Sequence, residues 1–156
     1  MSITMNGWVK NSCLVLVCLF LWQARVEAKQ LAVVVAKTNA TSALTAADLA
    51  KLFKLDGAKW PDGKNVTLVF FDPSSADMQI ALQKIYKMQP DEFKTWMASH
   101  RASILFVHSE EELLKAVESV PGAVGLIDVY SITNRINVVK VDGKLPLEQG
   151  YLLRGN

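Results

Sequence analysis

Strand-length apolar runs alternate with segments of helical period along most of this chain, and that alternation constrains its fold more than any other feature. The run QLAVVVAKTN, residues 30–39, holds four consecutive apolar residues, Ala32 to Val35, three of them β-branched. A strand with no polar face has to be covered on both sides. In TAADLAKLFKL, residues 45–55, Ala46, Leu49, Leu52 and Phe53 fall on one helical face, with Thr45 placed to cap it and Asp48 near the positive end of its dipole. Asp56-Gly57 ends that helix. Trp60-Pro61-Asp62-Gly63 is turn chemistry and leads into a second strand, NVTLVFFD.

A helix follows with Met78, Leu82 and Ile85 on one face and Ala81 and Tyr86 alongside, and Pro90 starts another whose stripe is Phe93, Trp96 and Met97. Ile104 to Val107 reads as a short strand. Ser109 and Glu112 make a capping box for a helix that buries Leu113, Leu114, Val117 and Val120 and stops at Pro121-Gly122. AVGLIDVY and INVVKVDG are the last two strands. This order predicts an α/β domain with a mixed, largely parallel sheet.

The first 28 residues read as a secretory signal outside that domain. Lys10 supplies a positive start, and the apolar stretch Ser12–Trp22 is shorter than the roughly 20 residues a spanning helix needs. Val26-Glu27-Ala28 is a small-x-small cleavage signal, so the mature chain is expected to be one domain over residues 29–156, periplasmic and not membrane-spanning. Cys13 and Cys18 both lie in the leader, which leaves the mature chain without a disulfide or a thiolate metal site. Without Lys10, Arg25 and Glu27 the 17 basic and 15 acidic residues become 15 and 14. Such balance, with no basic cluster, argues against a nucleic-acid or polyanion binder.

Catalytic chemistry is sparse. His100 and His108 are the only imidazoles and have no partner at metal-ligand spacing, and there is no nucleophile elbow, phosphate loop or dinucleotide fingerprint. The chain is therefore expected to be no enzyme, with neither metal nor cofactor.

Asp72-Pro73-Ser74-Ser75 is the most informative stretch, because a strand-to-helix loop at the carboxyl end of a strand is where open α/β domains place ligands. The first amides of a helix lack acceptors and carry the positive end of its dipole, so Ser74, Ser75 and Ala76 could hold an oxyanion. The competing reading is that a serine only caps the helix. Asp72 and Asp77 would repel an anion unless Asp72 turns into a backbone contact. Thr38 and Asn39, after the first strand, would line the same pocket if the first two strands were parallel neighbours; otherwise they are turn residues.

In order and spacing, LAKLFKL with KWPDG, the serine turn, EFKTWM and VPGAVGLIDV resemble the substrate-binding proteins of phosphate ABC transporters, over nearly all of residues 29–156. The similarity is to short members that keep one lobe, which implies a three-layer single lobe of a periplasmic-binding-protein-like fold. It also implies phosphate or a related small oxyanion as ligand, with an ABC permease or another envelope protein as partner. The family's Arg-Ser-Asp-Gly-Ser-Gly-Thr turn falls on Phe70 through Ala76. Asp72 and Ser74 match; Phe70 stands in place of the ligand-binding arginine, Ser75 of a glycine and Ala76 of the threonine. Leu55 and Leu126 replace a glycine and a tyrosine of the flanking motifs. With its bidentate cation lost, the site is expected to bind weakly, or the lobe to serve as an envelope interaction module that has given up its ligand.

Overall fold

The computed structural model describes residues 27–57 and 59–156, so the expected leader lies outside it except for its last two positions. The first strand, β1 (Leu31–Ala36), is fully buried from Leu31 to Val35. After it come β2 (Ala43–Leu44), α1 (Ala46–Phe53), β3 (Thr67–Phe70) and α2 (Ala76–Ala81). Next are α3 (Pro90–Ser99), β4 (Ile104–Phe106), α4 (Glu110–Ser119), β5 (Ala123–Asp128) and β6 (Ile136–Val141). The six strands form one sheet in the order β2-β6-β1-β5-β3-β4.

Pairing is parallel for β2 with β6, for β5 with β3 and for β3 with β4, and antiparallel where β1 meets β5 and β6. Five strands therefore run one way, and β1 alone runs against them. This is the mixed, largely parallel sheet expected.

Strand alternation divides the core into two layers. Leu31, Val33 and Val35 of β1, with Leu68 and Phe70 of β3, face α1, α2 and α3; Ala32, Val34 and Val69 face Leu113, Leu114 and Val117 of α4. Helix, sheet and helix make three layers. Gly125 sits where α4 crosses most closely, since a Cβ there would lie 3.1 Å from Leu113 Cδ2.

Local chemistry explains most element ends. Thr45 Oγ1 accepts the Asp48 amide at 3.0 Å and starts α1. Ser109 Oγ accepts the Glu112 amide at 3.1 Å, but the Glu112 carboxylate returns to the His108 amide rather than to Ser109, so the capping box is shifted by one residue on its return arm. Past Ala81, α2 widens into a π turn, Leu82–Tyr86, closed by the Lys87 amide on the Leu82 carbonyl. The wider turn keeps Ala81, Leu82, Ile85 and Tyr86 all buried. The tail, which has no clear period, is anchored on β1: the Leu31 amide donates to Leu153 O at 2.9 Å, and Tyr151 Oη donates to Leu31 O at 2.9 Å.

Candidate functional site

At the carboxyl end of β3 the chain passes through Asp72-Pro73-Ser74-Ser75 into α2. Ser75 is the N-cap, and its Oγ accepts the Met78 amide at 3.3 Å. Ser74 donates both its amide, at 2.8 Å, and its hydroxyl to Asp72 Oδ1. The Ser75 amide goes to the Asp72 carbonyl at 2.9 Å. Asp72 does turn into a backbone contact, but the contact is with the turn's own donors. The amides of Ala76 and Asp77, which open the helix, lack helical acceptors.

The electrostatics follow from these bonds. Hydrogen bonds from Ser74, the hydroxyl first and then the amide, hold the Asp72 carboxyl below its ordinary value, with the charge of His108 adding to the effect. Asp77, nearly buried, lies 2.5 Å from the ammonium of Lys29, which also approaches Asp128 at 3.6 Å. Burial pulls the Lys29 ammonium down, and the bond and charge of Asp77 with those of Asp128 outweigh it, so its pKa lies above the usual lysine value. Lys29 is thus held by two carboxylates.

Phe70 does not reach the turn surface. Its ring is buried against Phe53, Tyr86 and Phe93, with centroids 6.3–6.4 Å away. The absent arginine is explained by packing: a side chain at this position points into the α1–α3 layer. Leu126 is likewise buried in the core, and Leu55 keeps a left-handed φ of +55°, the backbone shape for which a glycine is the usual choice.

The structure brings Asp72, Ser74, Ser75 and Ala76 together and separates Thr38 and Asn39 from them. β5 lies between β1 and β3, and β1 runs the other way, so Thr38 and Asn39 sit at the opposite end of the sheet. There they line a cleft of about 180 Å³ with Trp60, Asp62, Pro121 and Gly122. Trp60 Nε1 donates to Gly122 O at 2.8 Å, so the motifs KWPDG and VPGAVG meet as packing partners. The shared pocket expected from parallel neighbours does not exist.

Sequence reasoning missed Lys29 and Asp128. Neither has a motif around it; only the reversed β1, which carries Lys29 to the carboxyl ends of the other strands, brings them to Asp77. Among the described residues, no cluster of three or more histidine, cysteine or acidic side chains could hold a metal ion, and no helix is long and apolar enough to cross a membrane.

The fold recurs in solved structures. The chain superposes on an ABC-type phosphate transport receptor from Vibrio cholerae with a TM-score of 0.69, over 82% of its length and at 19% identity. Its fold is that of the phosphate transport receptors. PstS from Borrelia burgdorferi gives the same TM-score of 0.69, over 83% of this chain and at 16% identity. The chain spans 55% and 56% of those two proteins, just over half of each. No family model matches the sequence, and no curated protein matches it.

Proposed function

We propose that the protein is a secreted, periplasmic, non-enzymatic binding domain that takes phosphate or a related small oxyanion weakly at the Asp72–Asp77 turn and works with a phosphate ABC permease. The observation that carries this reading is the position of the turn: it opens a helix at the carboxyl end of a parallel strand, in a fold shared with phosphate transport receptors. Two helix-start amides and the Ser74 donors are the groups that would hold the anion. Asp72 has to leave Ser74 first, which makes the affinity low. Titration calorimetry of the secreted protein with phosphate, sulfate and simple carboxylates at millimolar concentration tests it. Heat of binding that disappears in a Ser74→Ala, Ser75→Ala variant supports the reading, and no heat and no thermal shift with any of these anions sinks it.

The bond between Asp72 and Ser74 also favours a second reading. A turn whose donors are already met by its own carboxylate needs no ligand, so the lobe would be an envelope interaction module that retains the fold alone. Anion binding abolished by the serine variant is the result that rejects this alternative.

A further inference from the structure

We propose that the cleft between the start of α2 and the edge of α3 is a second binding site, for a free α-amino acid with an apolar side chain. The cleft has a volume of about 440 Å³. Leu82, Phe93 and Met97 give it an apolar wall, while Asp72, Asp91 and Lys94 reach it from the rim. Among the described residues no ion pair ties Lys94 to either carboxylate.

An apolar hollow bordered by a few polar groups is the usual form of a small-molecule site. The rim selects the class of ligand. An anion such as phosphate would meet two carboxylates and has no apolar body for Leu82, Phe93 and Met97. A simple alkylammonium would leave Lys94 without a counter-charge, and a neutral apolar molecule would use none of the three charges. A zwitterion with a hydrocarbon side chain uses all of them: its ammonium goes to Asp72 and Asp91, its carboxylate to Lys94, and its side chain to the wall. The rim charges are exposed, so each contributes little in water and the affinity lies in the millimolar range.

The test is a heteronuclear NMR titration of the secreted, isotope-labelled protein with L-leucine, glycine, N-acetyl-L-leucine, L-leucinamide and, separately, phosphate. The expected result is saturating shifts of the Gln79, Lys94 and Met97 amides with leucine, and binding at least several-fold weaker for the three analogues, each of which lacks one recognised part. Asp91→Asn and Lys94→Gln, both at exposed positions, should each weaken leucine several-fold with thermal stability and the phosphate titration unchanged. Failure of leucine to saturate up to its solubility limit, equal affinity for leucine and N-acetyl-leucine, or leucine binding unaltered in both variants would overturn the proposal. Asp72 and Ser74 border both the turn and the cleft, so the phosphate arm is read at the Ala76 and Asp77 amides and the leucine arm at Lys94 and Met97, and loss of either set of shifts with the other retained tells the two sites apart.

Discussion

The Asp72 carboxylate accepts the Ser74 amide at 2.8 Å and the Ser74 hydroxyl through the same oxygen, Oδ1. A carboxylate from the chain thereby stands where an external oxyanion would have to stand. Replacing it with Asn removes the negative charge and weakens the hold on both Ser74 donors, while Oδ1 remains as a neutral acceptor. Phosphate affinity of Asp72→Asn should rise several-fold over wild type in calorimetry, and an unchanged or lower affinity would count against competition by Asp72. The bonds hold the Asp72 pKa below the ordinary value of 3.8. What they contribute to stability is therefore intact above about pH 4 and is lost as the pH falls through the lowered value.

Phe70 gives the opposite kind of prediction, in which an arginine at this position harms the protein. The ring is 1% exposed and shares the α1–α3 layer with Phe53, Tyr86 and Phe93. Phe70→Ala should cost about 3–5 kcal/mol from lost burial and the cavity left behind. Phe70→Arg should cost more, because a guanidinium there is buried without a carboxylate partner. Urea unfolding of both variants checks the order; a stable Phe70→Arg protein with improved phosphate binding would show that the position faces the turn after all.

Phe70 also shows what could be read from the residues and what could not. Period-two alternation in Thr67–Phe70 places Leu68 and Phe70 on one face, so the burial of Phe70 was legible in the strand itself. Thr45 as a cap and a serine cap at Ser74 or Ser75 were legible too, because such a bond spans two or three residues. Sheet order was not: the antiparallel placement of β1 depends on which strands meet across the sheet, and no local pattern encodes it. Whether Thr38 and Asn39 reach the serine turn hung on that order, and with β1 reversed the turn-residue reading is the one that fits. β2, only two residues long, has no period to detect. The Lys29–Asp77 pair joins residues 48 positions apart and became visible only with the topology.

Gly122 is required by contact as well as by backbone shape. Its φ is +74°, and an added Cβ would lie 2.0 Å from the Asn65 carbonyl oxygen, beside the Trp60 ring whose Nε1 bonds its own carbonyl. Gly143 has almost the same φ, +75°, with open space around it. Gly143→Ala should therefore lose about 1 kcal/mol, the left-handed backbone cost alone. Gly122→Ala should lose more than about 2 kcal/mol, because the Asn65 backbone must also move. Urea midpoints at an unchanged slope measure both, and equal losses would mean that the Gly122 contact is relieved at no cost.

Two buried phenols tie the ends of elements together through hydrogen bonds. Tyr86 Oη donates to Phe53 O at 2.9 Å, holding the π turn against the end of α1, and Tyr151 Oη donates to Leu31 O at 2.9 Å, holding the tail on β1. Burial pushes both phenols above the ordinary tyrosine value of 10.0. Each therefore stays protonated in the folded chain at a pH where the unfolded chain begins to ionise. Their stabilisation is complete below about pH 10 and falls as the pH rises toward the raised values. Lys29, also raised, adds a loss of the same sign. Tyr86→Phe and Tyr151→Phe should each cost about 1 kcal/mol near neutral pH, since each orphans a buried carbonyl. In return, the double variant should lose less stability than wild type between about pH 8 and about pH 11. Urea unfolding at the two ends of that range decides it: a double variant with the wild-type pH dependence would remove the phenols from the account and leave Lys29 as the group that titrates.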